Sequence, residues 1–278
     1  VREPAQLKEH TYDLVAVFAA LGMDFDQHTF FRQSDIPEVT EFSWILSCIT
    51  AKGLLERAHA FKDAQSKQQE VNLGLFCYPV LQAADILLYD SDFVPVGKDQ
   101  KQHLEMTRDI ALRFNHLYGE DVLVVPEPLI GEEVATILGL DGQKMSKSYD
   151  NTLAIFDQPK PLKKKIMSIQ TDSTPLEEPK DPSKDNVFAL ISLFASQDQK
   201  QEIAQKYRAG GYGYGHAKKE LLTLMSDYFA EATERRRELN QHPERVYEVL
   251  QEGAKKARIQ AERVMQPIRE VVGLHRSF

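Results

Sequence analysis

Up to Tyr149, short and wholly apolar runs alternate with segments of helical period; beyond it the strand-like runs stop. Thr29-Phe30-Phe31, Phe93-Val94-Pro95-Val96 and Val122-Leu123-Val124-Val125 read as strands. Around them, helices are expected over Pro4–Leu21, Glu38–Thr50, Pro79–Tyr89 and Gln100–Phe114, with a turn at Gly53. A strand without polar alternation is apolar on both faces, so it belongs in a parallel sheet covered by helices on each side. After Tyr149, helices are expected over Pro161–Ser168, Val187–Ser196, Gln199–Arg208, His216–Asn240 and Pro243–Val272. The pattern predicts an α/β layer followed by a helical bundle. Pro175, Pro179 and Pro182 break a polar connector, which puts a boundary near residues 180–190.

A chain of 278 residues can bury one large core or two modest ones. No apolar run reaches the roughly 18 residues that a membrane helix needs. The start, Val1-Arg2-Glu3-Pro4, has neither an initiator Met nor the basic and apolar regions of a secretory signal, so the gene product is expected to begin upstream. Cys48 and Cys77 form no CxxC pair and no His–Cys cluster; a reducing, cytoplasmic compartment fits, both thiols are expected in the core, and no metal site is expected in the chain. The net charge of −8 argues against a wholly basic nucleic-acid binder. Its distribution is uneven: 13 Lys+Arg against 24 Asp+Glu before residue 151, and 21 against 18 after it, so the second portion is the better candidate for a polyanion.

Three segments carry chemistry. Lys144-Met145-Ser146-Lys147-Ser148 follows the turn-prone Leu140-Asp141-Gly142-Gln143 and makes a cationic loop that can fold over a polyphosphate and neutralise charge on a leaving pyrophosphate. In Val94-Pro95-Val96-Gly97-Lys98-Asp99-Gln100 a strand ends in a tight turn, with Asp99 at a helix N-cap and Gln102 placed to complete a capping box. Such a strand end beside a helix N-terminus is where parallel sheets bind nucleotides. Gly97 and Lys98 can offer N–H groups there, and Asp99 either meets ribose hydroxyls or only caps its helix. In the apolar helix Tyr78–Tyr89, the residues Tyr78, Gln82, Asp85 and Tyr89 share one stripe, and the Asp85 carboxylate needs a donor. That donor is either a neighbouring group of the fold or a ligand such as an indole N–H.

Taken together, the KMSKS pentapeptide, the Tyr78–Tyr89 helix and the run Val94 to Asn115 resemble the tryptophanyl-tRNA synthetases, class I aminoacyl-tRNA synthetases. So do Phe30-Phe31-Arg32-Gln33-Ser34, Trp44, Phe61-Lys62, Gly211-Tyr212-Gly213-Tyr214-Gly215 and Glu252-Gly253-Ala254, and the resemblance spans essentially the whole chain. It implies a Rossmann-like ATP- and tryptophan-binding domain over residues 1–185, incomplete at its N-terminus, and a helical anticodon-binding domain over 186–278. Activation of L-tryptophan by ATP and Mg2+, followed by transfer to tRNA(Trp), is the implied reaction, in a cytoplasmic homodimer. Asp85 would receive the indole N–H, with Tyr78, Gln82 and Gln100 around the amino acid. Gly97, Lys98, Asp99 and Lys62 would touch ATP. Lys144, Met145, Ser146, Lys147 and Ser148 would hold its triphosphate, with Lys144 and Lys147 stabilising the transition state. Gln82 and Ala64 stand where many family members have Met and Lys. The family's earlier HIGH-type signature is expected in a segment of about 50 residues before Val1, more than one strand–helix–strand unit. A tyrosine-specific enzyme of the same fold and a non-catalytic tRNA-binding paralogue are the rival readings.

Overall fold

The computed structural model describes residues 3–68, 70–119, 121–130 and 136–274. The chain divides into two compact units, each drawn from separated stretches: Val1–Met23 with Val134–Pro243, and Asp24–Glu133 with Glu244–Phe278.

The unit containing Asp24–Glu133 holds α2 (Glu38–Ile49), α3 (Lys52–Leu55), α4 (His59–Ser66), α5 (Leu73–Leu87), β1 (Phe93–Pro95), α6 (Lys101–Tyr118) and β2 (Glu127–Leu129), together with α12 (Pro243–Val271). The strands run parallel, pairing Phe93 with Glu127, Val94 with Pro128 and Pro95 with Leu129. Phe42 and Leu46 of α2, Val80, Ala83, Ala84 and Leu87 of α5, and Ile110 and Phe114 of α6 make one core. Ala257, Ala261, Val264, Met265 and Ile268 of α12 pack into it. The C-terminal helix therefore belongs to the compact unit that holds the sheet.

In the other unit are α1 (Pro4–Ala20), α7 (Pro159–Met167), α8 (Asn186–Phe194), α9 (Gln197–Ala209), α10 (Tyr214–Tyr228) and α11 (Ala230–Gln241). Helix α1 lies on α11: the Tyr12 hydroxyl donates to the Leu239 carbonyl at 2.9 Å, and the Arg235 Nε to the Ala20 carbonyl at 2.7 Å. Its core joins Leu162, Ile166, Val187, Leu190, Ile191, Tyr207 and Leu221.

Several sequence expectations are corrected. Thr29–Phe31 is not part of a strand, and the Phe30 carbonyl lies against Gly253 of α12. No strand forms over Val122–Val125, because the Asn115 side chain takes both the N–H and the carbonyl of Leu123, each at 2.8 Å. The partner strand forms just beyond, at Glu127–Leu129. Helix α5 starts at Leu73 rather than Pro79, since the Asn72 side chain accepts from the Leu75 N–H at 2.9 Å. Where only a turn was expected near Gly53, α3 and α4 form. The single helix expected over His216–Asn240 is broken at Phe229, whose ring packs on Phe194 and Tyr228. Cys48 is exposed and Cys77 half-buried, so neither belongs to the fully buried core.

Candidate active site

Asp85 stands on the half-buried stripe of α5 with Tyr78 and Gln82, and Tyr89 continues that stripe just past the helix end. Both carboxylate oxygens accept from the Gln33 Nε2, at 2.8 and 2.7 Å. Gln33 opens a single 3-10 turn, Gln33–Asp35, ahead of α2. Burial pushes the Asp85 carboxyl above the usual carboxylate range, and the Gln33 amide pulls it partly back. A carboxylate has about four acceptor positions. Two are used by Gln33, so Asp85 keeps capacity for another donor. The Tyr89 hydroxyl is buried with no partner among the described residues. Burial and then the charges of Asp85 and Glu38 hold it well above the ordinary phenol range.

Tyr78 is fixed from α6: its hydroxyl and the His103 Nε2 lie 2.6 Å apart, with ring centroids separated by 5.4 Å. His103 is buried, its Nδ1 has no partner among the described residues, and burial followed by the His59 charge depresses its pKa. The imidazole is thus biased to its neutral form, and a neutral ring can orient a hydroxyl without adding charge to the stripe.

Gly97 through Gln100 sit at the C-terminal end of β1, as expected. The Val96 N–H still donates to the Leu129 carbonyl at 3.2 Å; then Gly97 leads into a 3-10 turn, Lys98–Gln100. A Cβ on Gly97 would lie 2.6 Å from the Asp99 Oδ1, so glycine lets the carboxylate fold back over the turn. The Asp99 Oδ2 accepts from the Gln100 Nε2 at 2.8 Å. The expected capping box does not form. The inserted turn delays α6 to Lys101, its N-cap is Gln100, and Gln102 falls one position too early for the box. Gln102 instead accepts from the His59 N–H at 2.9 Å and donates to the Arg57 carbonyl at 3.1 Å, tying α6 to the entry of α4. Lys62 lies exposed on α4, next to Phe61, whose ring packs edge-on against Phe76 of α5.

The lysine loop belongs to the other unit. Lys144 pairs with Leu138 in an isolated antiparallel bridge, and Met145 turns toward the helical core while Lys144, Lys147 and Ser148 stay exposed. The Ser146 side chain accepts from the Ser148 N–H at 3.2 Å, starting a 3-10 turn, Lys147–Tyr149, that ends on the left-handed Asp150. Asn151 joins the ends of this loop, and the Asp141 carboxyl is held below its usual range by the Asn151 amide and the Gln143 N–H. Neither the Asn151 contacts nor the grip of Gln33 on Asp85 follows from spacing, because each partner lies on a segment without periodicity. For Gln33, the one available signal is its place in the Phe30–Ser34 stretch.

The strand end with its glycine turn and the half-buried carboxylate of α5 belong to one compact unit, and the two-lysine loop to the other. The family model described as class I tRNA synthetases (W and Y) matches residues 2–230, and the chain belongs to that family. Among its relatives, the tryptophan–tRNA ligase of Fusobacterium nucleatum is 53% identical over 268 residues, covering 96% of this chain and 82% of the relative. That of Rhodopirellula baltica is 48% identical, covering 99% and 85%. The solved structure of Campylobacter jejuni tryptophanyl-tRNA synthetase complexed with ADP and tryptophan superposes with a TM-score of 0.94 at 48% identity, covering 99% of this chain and 86% of that one.

Proposed function

We propose that this chain is a tryptophan–tRNA ligase, which activates L-tryptophan with ATP and transfers it to tRNA(Trp). Tryptophan's carboxylate would attack the α-phosphate in line, releasing pyrophosphate and leaving tryptophanyl-adenylate. A terminal ribose hydroxyl of the tRNA, the 2′-OH by class, would then attack the adenylate's carbonyl, taking the acyl group and releasing AMP. Positioning and charge stabilisation suffice for both steps, so no covalent enzyme intermediate is required.

The observation that carries the amino-acid assignment is the half-buried Asp85 carboxylate, which keeps acceptor capacity on an otherwise apolar helix. An indole N–H is a donor with no acceptor of its own, and such a carboxylate would receive it. Tyr78, Gln82 and Gln100 would surround the rest of the amino acid. Gly97, Lys98, Asp99 and Lys62 would meet ATP, and Lys144 through Ser148 its triphosphate, with Lys144 and Lys147 on the leaving pyrophosphate. Mg2+ would arrive with the nucleotide; among the described residues no cluster of three or more His, Cys, Asp or Glu is placed to hold it. Residues 186–278 would contact the anticodon, in a cytoplasmic homodimer. No helix among the described residues is long and apolar enough to cross a membrane. Tryptophan-dependent ATP–pyrophosphate exchange on the full-length protein tests the reading. Exchange with tyrosine instead would give the tyrosine-specific enzyme, and exchange with neither would give the non-catalytic paralogue.

A further inference from the structure

The loop carrying Lys144 and Lys147 is held by a side chain outside the pentapeptide. Asn151 is only 3% exposed. Its Oδ1 accepts from the Ser146 N–H at 2.7 Å, and its Nδ2 donates to the Lys144 carbonyl at 3.1 Å and to the Asp141 Oδ1 at 2.8 Å. Its own backbone carbonyl accepts from the Leu140 N–H at 2.9 Å. Loop asparagines commonly bond their own backbone two residues on; this one reaches backward across the whole loop.

The surroundings are built to that amide. A Cβ on Gly139 would lie 2.4 Å from the Asn151 side chain and 2.6 Å from its carbonyl oxygen, so glycine is what admits it. From α8, the Asn186 Nδ2 donates to the Gly139 carbonyl at 3.0 Å and steadies the same turn. Between the two pinned residues, the Met145 N–H donates to the Ile137 carbonyl at 2.8 Å. The backbone at 144, 145 and 146 is therefore fixed at three consecutive positions, two of them by one side chain.

We propose that Asn151 is a positioning residue for adenylate formation: by clamping the peptide groups of Lys144 and Ser146, it sets the directions in which the two lysine side chains leave the loop. The inference rests on the reading of Lys144 and Lys147 as the pyrophosphate clamp. The residue must be asparagine rather than aspartate, because both amide protons are in use. A carboxylate there would face the Lys144 carbonyl and the Asp141 carboxylate with no donor to offer. A displacement of the order of 1 Å at a reacting group can cost about 100-fold in rate.

The test is tryptophan-dependent ATP–pyrophosphate exchange on the full-length protein with Asn151→Asp, Asn151→Ala, Asp141→Ala, Lys144→Ala and Lys147→Ala. We expect kcat to fall about 100-fold in the Asn151 variants and several-fold in Asp141→Ala, with tryptophan KM held within about twofold of wild type. A purely structural role would lower thermal stability without separating kcat from tryptophan KM. Folded Asn151→Asp with wild-type kcat beside slow lysine variants overturns the proposal alone. Wild-type kcat in both lysine variants overturns the clamp reading, and the proposal with it. If the Asn151 variants do not fold by circular dichroism, Asp141→Ala decides: a wild-type kcat there overturns the proposal, and a several-fold loss at unchanged tryptophan KM supports it.

Discussion

Replacing Asp85 by Asn separates a binding carboxylate from a structural one, because the two roles predict opposite changes in stability. The substitution keeps the shape and one acceptor oxygen, but puts an NH2 where the second oxygen accepts from Gln33 at 2.7 Å. A hydrogen bond to a charged group is worth about 1.5–3 kcal/mol. Losing the charged acceptor for the indole N–H should therefore lower tryptophan kcat/KM by roughly 10- to 150-fold, with ATP KM little changed. Stability should move the other way or not at all. Burial raises the Asp85 pKa in the fold, so the folded state binds the proton more tightly than the unfolded chain does. The ionised form is thus a cost that is absent below the ordinary carboxylate pKa and fully present above the folded one. Asn removes that cost, and the Tm of Asp85→Asn at neutral pH should equal or exceed that of wild type. Steady-state exchange kinetics and a thermal scan on the same preparation decide it. Wild-type kcat/KM for tryptophan, or a large fall in Tm, would refute the argument and make Asp85 a structural partner of Gln33.

Gln33→Leu removes the donor that opposes burial, so the acid limb of tryptophan kcat/KM should move to higher pH and KM should rise; an unmoved limb counts against Gln33 as the group that keeps Asp85 ionised. Lys144→Ala or Lys147→Ala should cut the exchange kcat by about 100-fold at near-constant tryptophan KM, and undiminished kcat removes the loop from catalysis. Gly253→Ala sets helix propensity, a gain of about 1 kcal/mol, against a Cβ placed 1.8 Å from the Phe30 carbonyl oxygen. Because that obstacle is backbone, the net loss should be about 2 kcal/mol, or roughly 4–8 °C in Tm; an equal or higher Tm sinks the close approach. At the N-cap of α8, the buried Asp185 accepts from the Phe188 N–H and the Tyr207 hydroxyl, both at 2.7 Å, and burial raises its pKa. Asp185→Asn keeps an acceptor and should abolish a loss of stability that wild type shows as pH rises through the folded pKa, which urea titrations across acid pH will reveal.

The chain's sequence by itself determined the elements whose signal is local. Period and Pro–Gly punctuation placed α1 over Pro4–Ala20 and ended it at Gly22, whose φ of +92° continues no helix. They also placed α2, α6 and α12 to within a few residues. The apolar helix around Asp85, the glycine turn after β1 and the lysine loop were legible because their chemistry is written in contiguous residues. Side chains reaching across the sequence decided the rest. Asn115 captured the backbone of Leu123 and shifted the second strand to Glu127–Leu129. Gln102 spent its amide on α4 rather than on the cap of its own helix. Gln33 found Asp85 from 52 residues away. Most of all, α12 buried Ala257, Ala261, Val264, Met265 and Ile268 in the core that also takes residues from α2, α5 and α6, elements far from it in sequence. A hydrogen-bonding group has several acceptable partners along a chain, and only packing settles which of them comes within 3 Å.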